Sequence, residues 1–187
     1  MPNWCMNKLI IGADSKEELD KVKEAIKSKD SALSFEAICP TPPELIDTSH
    51  KPKGGVDTAV ARVVAVCQGE VKDYKDWYEF HLGEWGCKWE VEAPVSFEEE
   101  DGTNEIIFSF DTAWSPPRHI LEKLEEHFPD ARFSLMYFEP GNCFAGEYGG
   151  GADFNYDEGE EGYADFAKEN FGWFVDFDED EDFPDDD

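Results

Sequence analysis

The sequence is poor in basic residues. Its 187 residues include only 16 Lys and Arg against 45 Asp and Glu, so the formal net charge is −29. Proteins that bind nucleic acid or anionic membranes directly use clustered cations, which displace the counterions of the phosphates. The composition therefore argues against direct binding of nucleic acid and against attraction to an anionic membrane.

Long hydrophobic runs are missing as well. No apolar stretch approaches the roughly 20 residues that a membrane span requires, and the N-terminus has no charged segment followed by a hydrophobic one. We therefore expect a cytoplasmic protein. The five cysteines are widely spaced, contain no Cys-x-x-Cys pair and are odd in number. We interpret them as reduced core residues rather than as a disulfide framework or a zinc site.

Sequence signatures of catalysis are also absent. The chain has no Gly-x-Ser-x-Gly, phosphate loop, His-Glu-x-x-His or dinucleotide fingerprint, and its four histidines lack the spacing of a ligand set. The alternating aspartates from Asp176 resemble a calcium loop. However, Glu181 and Asp187 stand where an EF-hand needs glycine and glutamate. The sequence predicts no enzyme, no cofactor and no metal site.

The chain is rich in hydrophobic residues, and its negative charge increases towards the C-terminus. Hydrophobic residues make up 40% and aromatic residues 14% of the sequence, a composition typical of a folded protein rather than of an acidic disordered chain. Residues 1–75 carry a net charge of −1, residues 76–138 carry −11, and residues 139–187 carry −17. Such a gradient concentrates electrostatic potential on one region of the surface, where a partner could recognise it.

Apolar periodicity predicts alternating strands and helices. The run Asn3–Gly12 is typical of a first strand. Segment 56–67 is compatible with a helix or a buried strand, and a cap at Asp57 or Thr58 favours the helix. The other expected elements are helices over 16–28, 73–85 and 115–128, strands over 33–39, 88–95, 105–113 and 132–138, and a further strand over 142–147.

This order of elements predicts an α+β fold, a ferredoxin-like split β-α-β sheet with helices on one face. We expect the domain to span residues 1–151, with a helical insertion at about 44–85. An acidic, aromatic-rich C-terminal extension over 152–187 would follow, its last ten residues mobile. A short helix over 163–170 would dock Phe166 and Ala167.

Three groups of residues resemble the YubB-like family of phage- and plasmid-borne proteins over about residues 1–150. They are Met1-Pro2-Asn3-Trp4-Cys5 with Asn7, then Trp85-Gly86-Cys87-Lys88-Trp89, then Thr112-Ala113-Trp114-Ser115-Pro116-Pro117 with Glu139-Pro140-Gly141. The resemblance implies a ferredoxin-like domain and a mobile-element origin, with the cytoplasm of the infected or plasmid-bearing host bacterium as its location. It supplies no catalytic residues. The tryptophan motifs fit a structural role, locking a strand end and a helix start.

The extension combines carboxylates with nine aromatic residues over 152–187. It could be a solvated tail, a packed extension, or a binding segment whose carboxylates and rings replace phosphates and bases. We favour packing for 152–177 and exposure for the remainder. The candidate partner contacts are Glu98, Glu99, Glu100, Asp101, Glu158, Glu160, Glu161, Asp165, Trp173, Phe174, Asp176, Phe177, Asp178, Asp180 and Asp182.

These features favour a non-enzymatic nucleic-acid mimic. The protein would inhibit a host defence protein, a CRISPR effector complex or a restriction nuclease, by occupying its DNA- or RNA-binding cleft. Its partner would be a basic nucleic-acid-binding host protein. The alternative is an acidic interaction or regulatory module that recruits a partner without blocking nucleic acid, through strand addition by the tail.

Overall fold

The computed structural model describes residues 2–46, 61–64, 71–99 and 102–174. The candidate contacts Glu100, Asp101, Asp176, Phe177, Asp178, Asp180 and Asp182 lie outside these ranges, as do the last ten residues. The elements, in chain order, are β1 (Trp4–Ala13), α1 (Lys16–Ile26), α2 (Phe35–Ile38), α3 (Pro43–Ile46), β2 (Ala61–Val64), β3 (Val71–Tyr74), α4 (Trp77–Glu84), β4 (Glu92–Glu99), β5 (Glu105–Ala113), α5 (Arg118–His127), β6 (Ala131–Glu139), β7 (Phe144–Gly149), β8 (Ala152–Asp157) and α6 (Tyr163–Phe171).

A six-stranded antiparallel sheet with the order β4-β5-β1-β6-β7-β8 forms the centre of the molecule. Strand β1 lies between β5 and β6, where Leu9 pairs with Phe108 on one side and Leu135 on the other. A separate two-stranded sheet joins β2 and β3 within the predicted insertion. The observed architecture confirms the predicted α+β, ferredoxin-like fold class.

Helices α1 and α5 supply the main core on one face of the sheet. Ser15 caps α1, its side-chain oxygen accepting a hydrogen bond from the Glu18 amide at 3.2 Å. The buried residues Leu19, Val22 and Ile26 recur at helical spacing along α1, as the sequence predicts. These three residues belong to a hydrophobic cluster that also contains Leu9 of β1 and buried residues of β5, β6 and α5.

Helix α6 packs on the opposite face. Successive residues of a strand point to opposite faces, so Met6 and its pairing partner Phe138 face away from the cluster that contains Leu9. Tyr163 and Ala167 of α6 are buried in a second cluster with Phe138 and Ala145. The residues following the predicted domain boundary therefore form an edge strand and a helix on the central sheet.

Several predicted elements are wrong in detail. Segment 33–39 forms the short helix α2 instead of a strand, because the Glu90 carboxylate accepts hydrogen bonds from the Phe35 and Glu36 amides. Part of the segment favoured as helix over 56–67 is strand β2, which pairs with β3. The helix predicted over 115–128 begins only at Arg118, after both prolines, and the Ser115 hydroxyl instead donates to the Gly86 carbonyl at 2.7 Å.

Candidate partner-binding surface

The turn between β8 and α6 presents exposed carboxylates from Glu158, Glu160 and Glu161, which we call the acidic turn. Its backbone is fixed at two points. The Glu158 amide donates to the Cys143 carbonyl at 2.9 Å, and the Asp157 amide donates to the Glu160 carboxylate at 2.9 Å. The acidic turn is therefore held against the turn that joins β6 and β7.

Helix α6 continues this acidic surface. Asp165 and Glu169 are exposed and stand four residues apart, a spacing that places two side chains on one side of a helix, about 6 Å apart along its axis. The buried Ala167 holds the opposite side of the helix against the sheet. As the sequence predicts, the helix docks through Ala167; Phe166 is half-buried against the same cluster.

Two aromatic side chains follow the end of α6. Gly172 ends the helix with φ of 66°, and its amide donates to the Lys168 carbonyl at 3.0 Å, the bond of an αL C-cap. The Trp173 amide donates to the Ala167 carbonyl at 3.2 Å. The Trp173 ring lies 5.7 Å from the Phe138 ring. Trp173 nevertheless remains 44% exposed, and Phe174 is 72% exposed. These two predicted anchors are available at the surface.

The other predicted acidic patch lies elsewhere. Glu99 ends β4 and forms ion pairs with Lys16, at 2.7 Å, and with Lys23. Hydrogen bonds from Lys16 and Lys23 lower the pKa of Glu99 to about 2. Two lysines thus neutralise Glu99, which is not a free carboxylate for a partner, whereas Glu98 is exposed.

The two patches do not form one site. Strands β4 and β8 are the opposite edges of the six-stranded sheet, so about 24 Å separates them at a strand spacing of about 4.8 Å. The structure brings together one set of predicted residues along the acidic turn, α6 and its C-terminal end. That set is Glu158, Glu160, Glu161, Asp165, Trp173 and Phe174.

Basic side chains are largely neutralised within the fold. Ion pairs with carboxylates hold Lys16, Lys21, Lys23, Lys27, Lys72, Lys75, Lys123, Arg118 and Arg132. Lys8, Lys88 and Lys168 lie over aromatic rings. None of the described bases forms an ion pair with the acidic turn or with Asp165, although Lys168 of α6 is exposed three residues after Asp165. These carboxylates therefore have no cation partner among the described residues.

Sequence reasoning missed a second group of exposed aromatic side chains. Trp4 and Trp89 have ring centroids 6.4 Å apart, and Trp89 and Trp114 are 37% and 45% exposed. Trp114 has φ of 74°, which is uncommon outside glycine, and its amide donates to the Asn3 carbonyl at 3.0 Å. The motifs contain these residues, but their juxtaposition depends on the pairing of β1 with β5.

Other motif residues have the expected structural role. The Trp85 side chain is fully buried, and its indole N–H donates to the Cys39 carbonyl at 2.9 Å. Gly86 has φ of 87° and lies beside the Arg118 amide at the start of α5. Together with the hydrogen bond from Ser115, these contacts join the first tryptophan motif to the second.

Gly146 positions the strand that carries the acidic turn. A Cβ atom at this residue would overlap the Phe154 carbonyl of β8 and the buried Tyr137 hydroxyl. We expect Gly146→Ala to lower the free energy of unfolding by about 1–3 kcal/mol and to speed hydrogen exchange in β8. The control is Gly12→Ala, where the nearest atom is 3.6 Å away. Equal stability of the two variants in urea denaturation would contradict this expectation.

The described residues show neither a metal cluster nor a membrane span. No group of three His, Cys, Asp or Glu side chains in these ranges could hold a metal ion. Each helix in the same ranges is too short or too polar to cross a lipid bilayer.

Comparison with known proteins identifies the family. The model of the ferredoxin-like domain in Api92-like protein matches residues 85–181. A crystal structure of a protein api92 from Yersinia pseudotuberculosis is similar at 20% identity and a TM-score of 0.38, over 46% of this chain and 32% of that one. The curated proteins contain no match. Because the family match spans more than half of its residues, the chain belongs to the family of Api92-like proteins with a ferredoxin-like domain.

Proposed function

We propose that this protein is a non-enzymatic nucleic-acid mimic, encoded by a phage or other mobile element, that inhibits a host defence protein. The observation that carries the proposal is the charge of residues 152–174, which contain seven Asp and Glu and one Lys on a folded edge of the sheet. The similarity of its motifs to the YubB-like family supports the mobile-element origin and a location in the host cytoplasm.

The proposed mechanism is competition for a basic cleft. Lys and Arg side chains of a CRISPR effector or a restriction nuclease would pair with the acidic turn and Asp165 instead of with phosphates. The long-range attraction between the opposite charges would also raise the association rate. A folded surface favours this mechanism because the carboxylates are already held in place by the β8 and α6 backbone, which reduces the ordering cost of binding.

General solubility does not account for the arrangement of charge. A modest net charge keeps a protein of this size soluble, whereas concentrated like charge destabilises the compact state by self-repulsion. Here the excess falls on one edge, where Arg118 pairs with Asp153 but none of the described bases forms an ion pair with the acidic turn or with Asp165. The self-repulsion of these carboxylates is better explained by a basic partner, whose cations would offset it on binding.

One observation favours a second candidate, an acidic module that recruits a partner by strand addition. Strand β8 (Ala152–Asp157) is an edge strand that pairs with β7 alone among the described strands. Its outer backbone groups could accept a strand from another protein. Such binding would depend on backbone hydrogen bonds, and added DNA would not compete with it.

A plating assay with phage on bacteria that each carry one CRISPR or restriction system tests the mimic. Expression of the protein should raise the plating efficiency on at least one strain. Neutralising four surface carboxylates should lower that gain at least 10-fold, because each close charge pair with the partner is lost. The matched control removes the same number of charges elsewhere. The two variants are E158Q/E160Q/E161Q/D165N and, as control, D30N/E44Q/E126Q/D130N.

The outcomes separate the candidates. Protection that both variants retain would show that the acidic turn does not carry the function. If no defence system is inhibited, the mimic proposal is wrong. Where a defence protein is captured, its binding should weaken steeply with added salt and should be displaced by DNA. Capture that resists both salt and DNA would instead favour strand addition at β8.

A further inference from the structure

Exposed aromatic side chains lie around the end of the sheet where β1 begins and β5 and β6 end. We define the aromatic belt as Trp4, Trp89, Trp114, Trp173 and Phe174. Four of these side chains are between 37% and 72% exposed. Single exposed apolar residues are common on soluble proteins, but a group of large exposed rings at one end of a sheet is typical of an interaction surface.

Strand pairing places these side chains around the same end of the sheet. Trp89 contacts Trp4, and Trp4 lies two residues before Met6 on the same face of β1. Met6 pairs with Phe138, whose ring lies 5.7 Å from that of Trp173. Trp114 follows Ala113, the pairing partner of Trp4. Residues from four separate parts of the chain thus lie around one end of the sheet.

The negative charge of the molecule indicates which class of partner would bind the aromatic belt. A second copy of this chain would bring another net charge of −29 to the same face, which opposes self-association. A basic partner is favoured, because the exposed Asp165 and Glu169 of α6 lie eight and four residues before Trp173 in the chain. The partner surface must therefore offer both cations and apolar or aromatic groups.

A surface with both exposed rings and carboxylates resembles one form of nucleic acid more than the other. A duplex stacks its bases inside the helix and presents phosphates at its surface, so carboxylates alone would imitate it. A single strand presents phosphates and unstacked bases together, and its binding proteins combine a basic groove with aromatic side chains. In such a groove, the rings of the aromatic belt would take the place of the bases.

We infer that the aromatic belt makes this protein a mimic of single-stranded rather than duplex nucleic acid, an inference that rests on the proposed function. Its occupant is the basic, aromatic-lined groove of a protein that binds single-stranded DNA or RNA. The rings of Trp173 and Phe174 stack on the aromatic side chains of that groove, while the acidic turn and Asp165 pair with its cations.

Displacement of labelled nucleic acid tests this inference. The probes are labelled oligo(dT) bound to a panel of single-strand-binding proteins with OB-folds, and labelled duplex bound to a panel of helix-turn-helix repressors. The full chain should displace oligo(dT) at least 10-fold more effectively than duplex. Removing the two most C-terminal rings of the belt should weaken displacement roughly 10- to 100-fold, because stacking contributes about one to two factors of ten for each base.

Three variants complete the design. W173A/F174A removes the two rings, and F174A alone removes the side chain that is 72% exposed and least important for packing. L82A/F97A is the matched control, since Leu82 and Phe97 are exposed apolar residues outside the belt. The control should displace oligo(dT) as the wild type does.

Each outcome is decisive. Preferential displacement of oligo(dT) that F174A weakens and L82A/F97A does not would support the inference. Equal or better displacement of duplex, or displacement that is insensitive to both ring variants, would overturn the inference while leaving nucleic-acid mimicry intact. Failure to displace either probe from every protein in both panels would overturn the inference and count against mimicry as well.

Discussion

Replacing Lys123 with methionine should lower the free energy of unfolding by about 3–5 kcal/mol, because the buried carboxylate of Glu84 loses its buried cation and keeps only the partly exposed Lys72. The Lys123 and Glu84 side chains are only 2% and 3% exposed, and their Nζ and Oε2 atoms are 2.6 Å apart. Tyr74 donates its hydroxyl to the other oxygen of Glu84, and Lys72 lies 3.5 Å from that oxygen. This network joins β3 and α4 to α5.

The pKa of Glu84 shows how strongly these donors act. Burial raises the pKa of this carboxyl, but hydrogen bonds from Lys123 and Tyr74 outweigh burial and hold it below the ordinary value of 4.5. The network therefore stabilises the wild type fully above that pH and loses its effect as the pH falls through the lowered pKa. In Lys123→Met, Glu84 can relieve its burial by taking up a proton, so the stability difference from the wild type should shrink towards pH 4.5.

Urea denaturation of three chains measures this effect. Lys123→Met should unfold at a much lower urea concentration than the wild type. The double variant E84Q/K123M should recover at least half of the loss, because a neutral glutamine leaves no buried charge and can still accept from Tyr74. A double variant as unstable as Lys123→Met would show that lost packing of the lysine stem, and not the loss of the buried cation beside the carboxylate, causes the destabilisation.

Elements with a strong local pattern could be predicted from the sequence. Strand β1 alternates cleanly, α1 has both a serine cap and an apolar stripe, and the helix over 163–170 docks through Ala167 as expected. Strands β5 and β6 follow the same rule. In these elements the local pattern and the tertiary environment favour the same conformation.

Elements that depend on distant residues could not be predicted. Helix α2 has an alternating sequence typical of a strand, but its first turn is fixed by Glu90, more than 50 residues away. Strand β8 lies just after the predicted domain end at residue 151, but Gly150 and Gly151, both with positive φ, form the turn of a hairpin that joins it to β7. Tertiary hydrogen bonds decided both cases.

Some features of the candidate surface could likewise be predicted from the sequence, and others could not. The acidic turn and Asp165 are close in sequence, so their common exposure on one edge follows from a short turn and a helix. Glu99 is just as acidic in sequence, yet α1 brings Lys16 and Lys23 against it. The aromatic belt includes residues near both ends of the described chain, and only the strand register could place Trp4 and Trp173 at the same end of the sheet.

Replacing Trp85 with alanine should destabilise the fold by about 3–5 kcal/mol, the range measured when a large buried aromatic side chain is truncated. The Trp85 side chain is fully buried. Its ring stacks on His81 at a centroid distance of 3.6 Å and meets Phe35 edge-on at 5.8 Å. One residue at the end of α4 therefore packs against both α4 and α2.

A phenylalanine at the same position separates packing from hydrogen bonding. Trp85→Phe keeps most of the buried ring but leaves the Cys39 carbonyl without its indole donor, which should cost about 1–3 kcal/mol. If Trp85→Phe is as unstable as Trp85→Ala in urea denaturation, the hydrogen bond to Cys39 carries the effect. If Trp85→Ala is as stable as the wild type, Trp85 does not stabilise the fold, and the structural role assigned to the Trp85–Trp89 motif is wrong.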